Sequence, residues 1–97
     1  MLDVIGTKDL QFIKTIETEG HGVFSAWADN LNQRAYVGCH DGHMYTVDLT
    51  TLELVAKEGY TKLRQGIYDI VQLPQHLHIL MCVQHFGFID FVSTADQ

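Results

Sequence analysis

Cysteine and proline are nearly missing from this chain. Cys39 and Cys82 are its only cysteines, and Pro74 is its only proline. Two thiols cannot build the multi-bridge framework that holds a small secreted domain together. Both are therefore expected to be free and buried, in a reducing cytoplasm, with the nucleus left open. Basic residues are scarce as well: six Lys and Arg stand against twelve Asp and Glu, a net charge of -6. A grip on nucleic acid neutralises phosphates with Lys and Arg, and an anionic membrane surface asks for the same residues. The acidic balance speaks against both partners. Met1 to Gly6 has neither the basic n-region nor the long apolar h-region of a secretory signal. Alanine and glutamate, the usual filler of exposed helix faces, are few. No apolar stripe at i, i+3, i+4, i+7 persists for three turns, so long amphipathic helices are not expected.

What the chain does have is strand formers. Val, Ile and Thr total 23 of 97 residues, and Phe, Tyr and Trp add 10. These side chains suit a pleated, half-buried surface. With 46% apolar and 19% charged residues, the composition is that of one small folded unit rather than a disordered or membrane-spanning chain. Apolar runs broken by turn signals predict strands at Met1 to Ile5, Leu10 to Ile16, Val23 to Ala28, Ala35 to Cys39, Met44 to Asp48 and Leu52 to Ala56. After a loop starting at Gly59, three more are predicted at Ile67 to Leu73, His78 to Val83 and Phe88 to Val92. Asp41-Gly42 is the strongest short hairpin signal, and Phe86-Gly87 holds the same place in the later hairpin. Several strands are apolar on both faces: Ile79, Met81 and Val83 alternate with Leu80 and Cys82. A sheet with one wet face would alternate apolar with polar. Stacked sheets or radial blades are therefore expected, with neighbours on both sides.

The chain also repeats itself. Gly22-Val23-Phe24-Ser25-Ala26 resembles Gly66-Ile67-Tyr68-Asp69-Ile70 at an offset of roughly 44 residues, within the period of propeller blades. Asp41 to Val47 aligns with Phe86 to Val92 after a one-residue gap, and Asp9 to Ile13 aligns with Thr51 to Val55. In blade order this gives one outer strand, then a four-strand unit from Val23 to Ala56, then three strands of the next unit.

From Gly20 to Asp48 the sequence resembles a degenerate WD repeat. Gly20-His21 stands where that family has Gly-His, and Trp27 falls on the inner strand. Asp41-Gly42 matches the tight Asp turn, and Val47-Asp48 occupies the Trp-Asp position with Val in place of Trp. His21, Asp41, Gly42 and Asp48 are thus the structural turn and repeat residues the resemblance implies. The family's buried network of Trp, Ser/Thr, His and Asp reduces here to a His21–Asp41 remnant, because Val47 has no donor. In the second unit Gly59-Tyr60 replaces Gly-His, and Phe86-Gly87 replaces Asp-Gly. The resemblance implies an all-β fold of antiparallel four-stranded blades: a single segment over 1–97, about two blades, incomplete as a ring, with 17–58 the best-defined repeat. A propeller of another kind fits the same pattern.

Candidate chemistry is sparse. Cys39-His40 with His43, and His76, His78, Cys82 and His85, are two groups of metal-ligand types. Zinc needs four converging donors, whereas strand alternation sends Cys39 and His40 to opposite faces. Solvated turn histidines and buried thiols are the expectation, with no metal and no cofactor. His21 and Asp41 could form half of a catalytic pair, with Ser25 as the nearest serine. There is no Gly-x-Ser-x-Gly elbow, and a structural His–Asp bond is expected instead. The eight glycines form no phosphate-binding loop. Trp27, Tyr36, Tyr45, Tyr60 and Tyr68 are either interface anchors or, the stronger expectation for most, packing between sheets.

The functional expectation is a non-catalytic protein-interaction scaffold, part of a WD-like propeller. Its partners would be proteins or further blades, or copies of itself through strand exchange, three chains closing a six-bladed ring. A piece of a larger propeller is the stronger expectation of the two. The alternatives are a lobe of a propeller-fold enzyme, and a small oligomeric, lectin-like β protein.

Overall fold

The computed structural model describes residues 2–6, 12–16, 18, 22–55 and 61–94. Within them the protein is all-β, and every strand pairing is antiparallel. The strands are β1 (Leu2–Ile5), β2 (Phe12–Ile16), β3 (Val23–Asp29), β4 (Arg34–Cys39), β5 (His43–Asp48), β6 (Glu53–Leu54), β7 (Thr61–Lys62), β8 (Ile67–Leu73), β9 (His76–Gln84) and β10 (Ile89–Ser93). Among the described residues no helix is long and apolar enough to cross a membrane.

The strands form three sheets. β1 and β2 make a hairpin, β3-β4-β5-β6 make a meander with β7 also on β5, and β8-β9-β10 make a second meander. The central sheet is covered on both sides, as its doubly apolar strands require. Val37, Cys39, Tyr45 and Val47 meet Ile16 of the hairpin, with Leu2 and Val4 packed around them. On the opposite face Tyr36 and Met44 meet Ile67, Ile70, Leu80 and Cys82 of the third sheet. Fully burying an aliphatic side chain of this size contributes about 1.5–3 kcal/mol, so these two layers are the main cohesion of the stack. Polar bonds fix the alignment of the second layer. Ser25 Oγ donates to the Ile67 carbonyl at 2.8 Å, and Trp27 Nε1–H points at Gln72 Oε1 at 3.5 Å.

The repeat is visible in the register. In the central sheet Ala26 lies beside Val37, and Val37 beside Tyr45. In the third sheet Ile70 lies beside Cys82, and Cys82 beside Asp90. The first strands of both sheets carry a bulge at the same place, between Val23 and Ser25 and between Ile67 and Asp69.

Several strand limits differ from expectation. Leu52 takes a positive φ of 59° in the turn after Asp48, so the expected strand from Leu52 shrinks to Glu53–Leu54; its expected end, Ala56, lies outside the described residues. β7 was not foreseen. It lies within the expected loop and pairs with His43 and Met44. The expected outer strand ending at Ile16 does not lie along a sheet edge; it pairs with β1, and the hairpin covers a face of the central sheet. The Asp41-Gly42 turn is a three-residue loop, His40 to Gly42. Gly42 N–H donates to the Cys39 carbonyl at 3.2 Å, and only Gly42 needs a positive φ, 94°. That is the type I turn followed by a left-handed residue found in three-residue hairpins.

Candidate functional site

Each bulge holds one extra residue, and a bulge re-aims the side chain it carries. The extra residues are Phe24 in β3 and Tyr68 in β8. Both rings stand at the surface, 52% and 49% exposed. The strand that pairs with each bulge is followed directly by a histidine. His40 N–H donates to the Gly22 carbonyl at 2.8 Å, and His85 N–H donates to the Gly66 carbonyl at 3.1 Å. Each repeat therefore builds the same small device, in which a glycine precedes the bulged strand, an aromatic residue bulges outward and a histidine closes over the glycine.

The two devices touch. Phe24 lies 6.0 Å from the ring of His40 and 5.6 Å, edge-on, from the ring of His85. His85 in turn lies 5.0 Å from Tyr68 and 6.2 Å from Phe86. The result is a continuous ledge of rings running across both sheets. Its outer end is Phe86, 86% exposed and held at a positive φ of 62°. Gly66 sits where the devices meet: a Cβ there would strike the His40 carbonyl oxygen and come within 2.9 Å of His85 Cδ2. A side chain at this position would push the two turns apart. Gly22 N–H also points at His40 Nδ1, 3.2 Å away. When that bond forms, Nδ1 is the acceptor and the proton of the neutral ring sits on Nε2.

No family model, curated protein or solved structure matches the chain.

The residues singled out in the sequence are placed as follows. His21 lies outside the described residues, as do Gly20, Gly59 and Tyr60. Asp41 engages His43: its Oδ1 lies 2.8 Å from His43 Nδ1 and accepts the His43 backbone N–H at 3.2 Å. Gly42 turns the chain and accepts Leu63 N–H on its carbonyl at 2.7 Å. Asp48 starts the next turn. It accepts Thr50 N–H at 2.8 Å and lies 3.4 Å from Arg34, its cross-strand neighbour. The Thr50 N–H is the main reason its carboxyl is held below the usual carboxylate value; the Arg34 charge lowers it further, against a partial desolvation that raises it.

Among the described residues, those singled out do not come together as a reactive set; the expected His21–Asp41 pair lies partly outside them. Ser25 Oγ is turned inward to Ile67, Asp41 is turned to His43, and His40 and His85 belong to the ring ledge. Cys39 and Cys82 are free and fully buried, one in each core layer. Burial pushes both thiols up to about 11, and Asp41 and Asp90 respectively push in the same direction. A thiol raised that far is a poor nucleophile and a poor metal ligand near neutral pH. Among the described residues no three of His, Cys, Asp and Glu are grouped to hold a metal. Of the aromatic residues, Tyr36 and Tyr45 are buried in the core layers. Burial raises the Tyr36 hydroxyl above its ordinary value, against the lowering effect of its bond to Thr94.

The ledge escaped the sequence reading although its signal was there. His40-Asp41-Gly42 and His85-Phe86-Gly87 share a His-x-Gly pattern one repeat apart. The matched segments Asp41 to Val47 and Phe86 to Val92 begin one residue after these histidines.

Proposed function

We propose that this chain is a non-catalytic protein-interaction scaffold built from WD-like blades, and that it binds through the ring ledge. The observation that supports this reading is the exposure of Phe24, Tyr68 and Phe86 beside His40 and His85 on matched bulges of two sheets. Aromatic side chains bring large apolar area with little conformational freedom to lose, which is why they dominate binding hot spots. Histidine adds directed donors at the same edge. The matched bulges and face-to-face sheets support the blade reading, and the inward-turned Ser25 and raised thiols favour binding over chemistry.

A displayed random peptide library panned against the full chain, with a Phe24→Ser, Tyr68→Ser double variant as counter-selection, tests the reading. Peptides enriched on the native chain and at least about tenfold weaker on the folded variant are expected. Equal enrichment on both would remove the ledge as the binding site. A glycan array giving a ligand-dependent melting shift, with no peptide enriched, would replace the scaffold with the lectin-like alternative.

A further inference from the structure

The outer edge of β10 is the counterpart of an edge that the central sheet keeps filled. Gln84 N–H donates to the Phe88 carbonyl at 2.9 Å, and Thr94 N–H donates to the His78 carbonyl at 2.8 Å. The pairing between these two bonds runs without a register shift. In an antiparallel ladder, alternate residues turn both backbone groups to the same side. Phe88, Asp90, Val92 and Thr94 therefore face β9, whereas Ile89 and Phe91 turn their N–H and C=O groups away from it. Among the described residues no strand lies on that side. The repeat shows what occupies such an edge. Tyr45 and Asp90 are equivalent, one beside Val37 and the other beside Cys82, so Met44 and Thr46 match Ile89 and Phe91. Met44 pairs with Thr61 of β7, and the Thr46 carbonyl accepts Val55 N–H at 2.8 Å. In the central sheet, then, this edge holds antiparallel extended chain. β10 also lacks the devices that blunt an edge. It has no Lys, no Pro and no bulge, whereas the edge strands β3 and β8 are both bulged. Its one charge, Asp90, is engaged by Gln84 Nε2 at 2.8 Å. Ile89 and Phe91 are strand formers left 55% and 63% exposed.

We propose that the outer edge of β10 binds an extended segment of a partner protein, which joins the third sheet as an antiparallel fourth strand. Backbone bonds to Ile89 and Phe91 supply the affinity, and alternate side chains supply the preference. Val92 is the equivalent of Val47, which has Leu54 beside it. The residue opposite Val92 is therefore apolar. Opposite Phe91 and Ile89, β-branched or aromatic residues make the favourable cross-strand pairs. Charge narrows the source. With twelve acids against six bases, two copies of this chain repel one another, and so does an acidic segment. The strand that fits is neutral or basic and comes from a different protein.

The edge is tested with the ring ledge removed, so the two readings stand or fail separately. A displayed random peptide library is panned on the full chain carrying Phe24→Ser and Tyr68→Ser, and the same protein with Phe91→Pro added serves for counter-selection. Proline at 91 removes the outward N–H and leaves the ladder to β9 intact, since an edge strand accepts proline on its open side. Far-UV circular dichroism confirms that each variant keeps its strands. Enriched peptides are expected to carry apolar residues at alternate positions and to bind the Phe91→Pro protein at least about tenfold more weakly. N-methylation of the peptide should abolish binding at every second residue and spare the residues between. Phe91→Thr, a strand former that keeps the N–H, should lose less than Phe91→Pro. In amide exchange followed by NMR, Ile89 and Phe91 should exchange fast in the chain alone and slowly with peptide bound, whereas Asp90 and Val92 are protected throughout. No enriched peptide, equal binding to the Phe91→Pro protein, or equal loss in Phe91→Thr and Phe91→Pro would each overturn the proposal. So would Ile89 and Phe91 amides already protected without peptide, which would place another part of the chain or a second copy on the edge.

Discussion

Phe24 and Tyr68 occupy the same structural position in successive sheets. Each is the extra residue of a bulge two places after a glycine, and each ring leaves its sheet at the same point. Both rings pack against His85, so the repeat is joined at the surface as well as in the core. A bulge is a costly irregularity in a ladder, and its recurrence in register marks it as a built feature.

Gly42 is held by two independent constraints. Its φ of 94° suits only glycine, and a Cβ there would strike the Leu63 carbonyl oxygen. Gly42→Val should cost about 1–3 kcal/mol. Urea denaturation followed by Trp27 fluorescence measures the loss; an unchanged midpoint would mean that the hairpin loop tolerates a side chain.

Ser25 locks the central sheet to the third. Its hydroxyl donates to the Ile67 carbonyl, which is buried between the layers. Ser25→Ala should lower stability by about 0.5–1.5 kcal/mol, the net worth of one such bond. Ser25→Thr, which keeps the hydroxyl, separates the bond from the packing: if both variants lose equally, the cost is steric.

Cys39 and Cys82 should resist modification while the chain is folded. Their thiols are buried and raised from 9.0 to about 11, so at pH 8 almost no thiolate is available to react. Ellman's reagent should titrate neither thiol natively and both in denaturant. A raised pKa favours the protonated native state. The associated stability is therefore complete below pH 9.0 and is lost as pH rises through about 11. Denaturation midpoints between pH 8 and pH 11 should fall, and Cys82→Ala should flatten that fall.

Asp48 acts in the opposite direction. Its carboxyl is lowered chiefly by the Thr50 N–H, with Arg34 adding to it. Stability from a lowered carboxyl is present above the ordinary carboxylate value and is lost as pH falls through the lowered one. Asp48→Asn should therefore weaken the chain at pH 6 and narrow the gap between its midpoints at pH 6 and pH 3. An identical gap in both proteins would show that the turn draws nothing from the charge.

The strand pattern was legible in the sequence because it rests on local facts. Ile67–Leu73 is bounded as its side chains predict, since β-branched residues, alternation and flanking glycine all act within a few residues. The repeat offset and the demand for cover on both faces of the central sheet were legible for the same reason. Asp41 and Asp48 could be placed at turns, and Asp41 was paired with His21, which lies outside the described residues, but their partners in the structure were not legible. His43 and Arg34 reach them only once the hairpins close. Where the chain's own folding supplied the partner, the sequence was silent: Thr61–Lys62 becomes strand only because the open edge of β5 is there to receive it. The ledge is the clearest case. Composition alone put the aromatics and histidines in the chain. Only the bulges, which lift Phe24 and Tyr68 out of their ladders, and the packing of one sheet on the next bring their rings to a common surface. A side chain's direction at a bulge is set by pairing with a strand many residues away, and no local propensity encodes it.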